Sequence, residues 1–219
     1  MSWAEVFKIN KNMKRALNEQ IRDLKCNPMR VITTTQSFTP EKTGLYKVIC
    51  VGAGADSYGN TTSYSSDMIA EAGSGGGVAL KTIKLYSSKS YNVTVSTTAS
   101  FAYDSTALTA TPGVKGTYNK GGTPGTGNGG DYNFTGVQGV RNIRVYENIK
   151  GGSVGCHISE ISYPPLFQED LVYGESLLGY GGGAPVRAYS NSGTGSTFVT
   201  VAKIGLPAAV IIIPLEMEE

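Results

Sequence analysis

Few residues in this 219-residue chain are equipped for chemistry. Cys156 and His157 stand side by side in CHISEIS, the minimum of a thiol nucleophile and its base. CHISEIS alternates like a strand, however, and neighbouring strand residues point to opposite faces, so the two groups cannot meet. His157, the only histidine, is expected to be partly buried with a satisfied ring. Glu169 and Asp170 would supply the two carboxylates of a glycan-cleaving site, but neighbours in sequence do not flank a glycosidic bond, and solvated loop charges are the expectation. Cys26, Cys50 and Cys156 are odd in number and far apart, with no CxxC knuckle. They read as reduced, buried thiols. No catalytic residue, metal-ligand set or cofactor site follows from these residues.

The run LYKVICVGAGADSYGN, residues 45–60, breaks from apolar residues into Gly52-x-Gly54 and invites a dinucleotide reading. A Rossmann turn needs G-x-G-x-x-G opening a helix, with an acidic residue about 20 positions on at a strand end. Ser57 stands where the third glycine should be, YGNTTSYSSD cannot begin an amphipathic helix, and Glu71 is expected in a glycine-rich loop. No G-K-[ST] occurs, so the P-loop fails too, and VKGT at 114–117 is only a superficial echo. GNGGDYNF resembles one unit of a calcium-binding nonapeptide repeat, but tandem units are absent.

The elements around these residues differ in style. Residues 1–25 contain neither Gly nor Pro, and Trp3, Phe7, Asn10, Lys14, Leu17, Ile21 and Leu24 recur at spacings of four and three. The spacing predicts one helix about 34 Å long, with Ser2 and Glu5 as a capping box and Asn27-Pro28 ending it. A seam this narrow serves either packing on the helix's own domain or a short parallel coiled coil, in which Asn10 would help to set register. Beyond Val31, the stretches RVITTTQSFT, LYKVICVG, VALKTIKLY, SYNVTVSTT, RNIRVYE and AAVIIIPLE read as strands separated by turn-formers. Between them, residues 52–77, 112–139 and 179–195 are polar, glycine-laden excursions, the usual sites of binding loops. The fold class is mainly β: an attachment or oligomerisation helix over 1–28, then a glycine-rich β domain over 29–219. Ile49, Val51, Val78, Leu80, Ile83, Val93, Val95, Val210, Ile211 and Ile212 are its expected core.

Charge and composition exclude other classes. A net charge of +2 is too small to imply attraction to nucleic acid or a membrane surface. The apolar run AAVIII is far short of a membrane span. The charged, amphipathic N-terminus lacks the apolar region of a secretory signal, so synthesis and assembly in a cytoplasm are expected. The sequons at Asn60, Asn92 and Asn133 then read as Thr-rich strand and loop sequence.

The cadence of strand, glycine excursion and strand resembles the glycine-rich receptor-binding proteins at the tips of bacteriophage tail fibres and of phage-tail-like bacteriocins. The resemblance runs from about Ser37 to Leu215. SFTPEKTGLYKVICVGAGA, GSGGGVALKTIKLYSSKSYNVTVS, STALTATPGVKG, GGTPGTGNGGDYNFTGVQG, GYGGGAPVRAYSNSGTGS and AAVIIIP carry it. SWAEVFKINKNMKRALNEQI is similar to the attachment helix of some short tail proteins. The chain differs from the family in having fewer glycines and an insertion at 157–178. The resemblance implies a non-enzymatic adhesin of a virion tail or tail-like particle, homotrimeric, joined to a baseplate protein through its N-terminal helix and binding a glycan or protein receptor on a bacterial surface. A connector protein without host contact is the alternative, and a surface-glycan depolymerase the weaker third.

Glycine permits close backbone approach, and polyproline-II-like glycine helices could stack by backbone hydrogen bonds while their turns vary. Tyrosine, with 13 copies against one Trp, supplies rigid recognition surface at low entropic cost. Tyr103, Tyr180, Arg187, Tyr189 and Asn191 are the expected receptor contacts, in the excursions 101–104 and 179–192. Tyr46, Tyr86, Tyr91 and Tyr146 lie in strand patterns and are expected to be structural.

Overall fold

A computed structural model describes residues 29–59, 69–117, 120–139, 141–143, 148–149, 162–163, 167–168, 171–172, 176–177, 180–191, 197–202 and 204–218. The expected helix with its seam from Trp3 to Leu24 lies outside the described residues, as do Cys26, Cys156, His157, Glu169 and Asp170. Among the described residues the chain is mainly β, with no helix.

The strands are β1 (Arg30–Ile32), β2 (Gln36–Phe38), β3 (Gly44–Val51), β4 (Tyr58–Gly59), β5 (Ile69–Glu71), β6 (Val78–Leu85), β7 (Tyr91–Val95), β8 (Ala99–Tyr103), β9 (Thr106–Ala110), β10 (Gly127–Asn128) and β11 (Tyr132–Phe134). They continue as β12 (Arg141–Ile143), β13 (Asn148–Ile149), β14 (Ser162–Tyr163), β15 (Phe167–Gln168), β16 (Leu171–Val172), β17 (Ser176–Leu177), β18 (Val186–Asn191), β19 (Thr197–Ala202) and β20 (Ala209–Met217). Two five-stranded antiparallel sheets, in the orders β1-β20-β3-β6-β11 and β10-β9-β8-β7-β2, form a sandwich. The remaining strands make small sheets, β12-β5-β4, β13-β18-β19, β14-β17 and β15-β16.

Alternation explains which residues fill the space between the sheets. Tyr46, Val48 and Cys50 of β3 meet Ile83 and Leu85 of β6, Val93 of β7, Phe101 of β8, Leu108 of β9 and Val210 of β20. Tyr91 and Phe101 stack at 5.6 Å. The intervening residues of the same strands are apolar too. Ile49, Val51, Val78, Leu80 and Ile211 form a second buried cluster on the opposite face of the first sheet, against which Phe134, Tyr180 and Ile213 pack. A sheet buried on both faces needs apolar residues at successive positions, as in VICV and AAVIII. The expected core residues are buried except Val95, which is half-buried against the core.

At one end of the sandwich the strands run on into glycine-rich segments, and these are structure rather than free loop. The central one, 72–77, is buried along its length. Gly73 donates to Ala184 (2.7 Å), Gly75 to Val137 (2.9 Å), Gly76 to Gly181 (2.8 Å) and Gly77 to Thr111 (3.1 Å). Its carbonyls accept from Ala55, Gly125 and Gly52. Partners therefore lie on more than the two sides available to a strand. The two bonds to the 181–184 segment come from residues three apart, the repeat of a polyproline-II turn. Such spacing needs bare α-carbons: a Cβ at Gly76 would collide with the Gly52 carbonyl, and one at Gly183 with that of Gly73.

Several expectations change as a result. The excursions 52–77, 112–139 and 179–195, expected as binding loops, are in part this buried lattice. The stretch 101–104 belongs to β8 and its tight turn, with Phe101 fully buried. Part of the third excursion is β18. Glu71 ends strand β5 instead of sitting in a loop, but β5 pairs antiparallel with β4 and β12, so no Rossmann crossover arises.

Candidate functional site

The lattice gives the molecule a polarity. β3 runs into it through Gly52 towards β4, β9 runs into it through Thr111, and β11 runs through Gly136 towards β12, while β5 and β19 return through it to β6 and β20. The excursions are thus anchored at one end of the sandwich and reach beyond the lattice.

The best-defined excursion is a hairpin from Val114 to Thr123. Val114 and Thr123 exchange hydrogen bonds of 2.7 and 3.1 Å, and Thr117 and Lys120 exchange bonds of 2.7 and 3.3 Å. Val114, Lys115, Thr117, Lys120 and Thr123 are exposed, whereas Gly116 and Gly122, one on each arm, are buried. Both rest on Glu71, which is 0% exposed. The Glu71 Oε1 accepts the Gly122 N–H, and a Cβ at Gly116 would collide with the same carboxylate. Nearby, Ser74 Oγ accepts from the Gly139 N–H at 3.3 Å, and Asp56 Oδ1 from the Gly205 N–H at 3.1 Å. Polar side chains at the lattice rim thereby fasten the bases of several excursions.

The expected contact residues fall in three places. Arg187, Tyr189 and Asn191 occupy alternate positions of β18, opposite Val201, Val199 and Thr197 of β19, and leave the lattice through Pro185. Tyr180 lies on the sandwich side of the lattice, half-buried against the second apolar cluster. Tyr103 sits at the β8–β9 turn, the opposite end of β9 from the lattice. It is half-buried, its hydroxyl donates to the Gly129 carbonyl at 3.3 Å, and the Lys81 ammonium lies 5.9 Å from its ring. The five residues do not converge on one site. Glu71, Gly116 and Gly122 escaped sequence reasoning; their signal was a lone carboxylate heading the run AGSGGG.

Charges on the sandwich are paired locally. Lys81 and Asp131 form an ion pair at 2.9 Å. Their hydrogen bond raises the ammonium pKa and, with the Thr82 N–H, lowers that of the carboxyl. Such exposed pairs contribute little to stability. A cleft of about 430 Å³ opens between β1 and β2. Its Arg30 and Glu41 are paired with each other at 2.7 Å, and its Tyr46 hydroxyl donates to the Lys42 carbonyl at 2.7 Å. The Cys50 thiol is buried, 3.8 Å from the Leu108 carbonyl oxygen, and burial pushes its pKa well up, the opposite of an activated nucleophile. Among the described residues no three metal-ligating side chains cluster. No protein-family model matches the chain, and no curated protein matches it.

Proposed function

We propose that the protein is a receptor-binding adhesin of a bacteriophage tail fibre or a tail-like bacteriocin, working by recognition and not by catalysis, without metal or cofactor. The observation that carries this reading is the glycine lattice. Its segments act as polyproline-II-like helices whose backbone bonds support the fold, so that the connections beyond them are free to differ in sequence. Backbone hydrogen bonding makes few demands on side chains except small size, which is what a scaffold for exchangeable recognition loops requires.

In this reading the receptor surface lies beyond the lattice, formed by the Val114–Thr123 hairpin and by the β18–β19 pair with Arg187, Tyr189 and Asn191. Residues 1–28 act as the trimerising or baseplate-docking helix. The chain enters the sandwich at Arg30 and runs along β1 towards the lattice end, antiparallel to β20, which agrees with attachment and recognition at opposite ends. Three copies could raise weak single-site binding by about 10²-fold or more. The purified full-length chain, incubated with whole cells of candidate bacterial strains, should sediment with some strains and not others. Uniform absence of binding, with retention on purified tail proteins instead, would make it a connector.

A further inference from the structure

We propose that Glu71 is a positioning residue that moors the Val114–Thr123 hairpin and so presents it as one receptor-contacting finger. The second half of this statement rests on the adhesin reading; the mooring rests on geometry alone. A two-stranded hairpin this short is marginal in water and needs packing against something else. Among its described residues this one has no buried apolar side chain: those at 114, 115, 117, 120 and 123 are exposed. What it has is one buried glycine on each arm, Gly116 and Gly122, laid on a carboxylate. The Gly122 N–H donates to Glu71 Oε1, and a Cβ at Gly121 would sit 3.6 Å from that oxygen. Around Gly122 the enclosure is completed by Ser74 Oγ, 2.9 Å from where its Cβ would stand.

Carboxylate desolvation is costly unless charge-assisted hydrogen bonds offset it, and such bonds are about twice as strong as neutral ones. The chain places that carboxylate against both arms of the hairpin. The glycines at 116 and 122 must then stay glycine, because a side chain would displace the carboxylate, whereas Thr117 and Lys120 are exposed. Glu71 thus fixes a glycine on each arm and leaves the exposed side chains at 117 and 120 free to be exchanged.

Trypsin supplies the test, because Lys115 and Lys120 lie within the hairpin while Lys81, Lys84 and Lys89 in and beside β6 serve as internal controls. In the full-length protein, Glu71→Ala should speed cleavage after Lys115 and Lys120 by at least about tenfold with the control sites unchanged. Glu71→Gln, which keeps an oxygen acceptor, should be cleaved more slowly than Glu71→Ala. Wild-type cleavage rates in a folded Glu71→Ala protein would overturn the mooring. Should that variant not fold, exchange of the wild-type Gly122 amide decides: protection equal to that of Gly75 supports the proposal, and exchange at the rate of an exposed turn overturns it. Attachment to a susceptible strain is measured in parallel. A loss of about tenfold or more in Glu71→Ala supports the finger, and undiminished attachment by a protein whose hairpin is cleaved faster overturns it. If the wild type attaches to no strain, the adhesin reading fails while the cleavage result still judges the mooring.

Discussion

The amide of Gly76 donates to the carbonyl of Gly181 at 2.8 Å, joining two glycine tracts remote in sequence through the middle of the lattice. A methyl group at position 76 would run into the Gly52 carbonyl, a backbone atom with no rotamer to change. Gly76→Ala should therefore destabilise the protein by about 3 kcal/mol or more, through overpacking and a strained hydrogen bond together. Thermal melting followed by circular dichroism should show a fall of roughly 6 °C or more, whereas Ser88→Ala, in an exposed turn, should leave the midpoint unchanged.

Tyr180 and Tyr103 should report on folding before they report on binding. Tyr180 packs against the cluster of Ile49, Val51, Val78, Leu80 and Ile211, so Tyr180→Ala removes part of the cover of that cluster and should lower stability by about 1–3 kcal/mol. Tyr103→Phe loses a 3.3 Å bond to Gly129 and the hydroxyl's contact with the exposed Lys81 ammonium, and should lower stability by about 1 kcal/mol or less. Urea unfolding of the two variants checks the order.

Truncation before Ala208 should abolish folding. β20 lies between β1 and β3 and pairs along its length with β3, from Ala209 opposite Val51 to Met217 opposite Gly44. Its removal exposes both apolar clusters at once. The truncated chain should be insoluble or lack a cooperative thermal transition.

Cys50 should make the protein sensitive to alkali. Its folded pKa is raised by burial, so the stability present below the unfolded value of about 8.5 is lost as pH rises beyond it, because only the unfolded state ionises. Between about pH 8.5 and 10 the loss from this thiol should approach 1.4 kcal/mol per pH unit. Cys50→Ala should be less stable at neutral pH but show a shallower decline over that window. Denaturant midpoints at several pH values check the sign. Native Cys50 should also resist iodoacetamide.

Strand identity was legible wherever side chains decide it. LYKVICV, VALKTIKL and AVIIIP announce themselves by β-branched residues, and their burial follows from apolar residues at successive positions. β8 was harder to see because ASFAY is short and mixes small with large residues, so its place against β7 and β9 is settled by Phe101 filling the core.

The amino-acid sequence by itself determined the mainly β class, the core residues of β3, β6, β7 and β20, and the absence of a dinucleotide or P-loop signature, since each depends on residue type and short-range spacing. Only the tertiary structure decided which residues of the glycine excursions form a buried lattice and which backbones they bond, because those bonds join segments far apart in sequence and leave no periodic mark on side chains. It alone separated Tyr103 and Tyr180 from Arg187, Tyr189 and Asn191, which composition groups together but the direction of β8, the lattice and β18 sets apart. The surroundings of Glu71 were decided there too: a lone acidic residue heading AGSGGG meets the Gly116 and Gly122 backbone only where the fold brings them together.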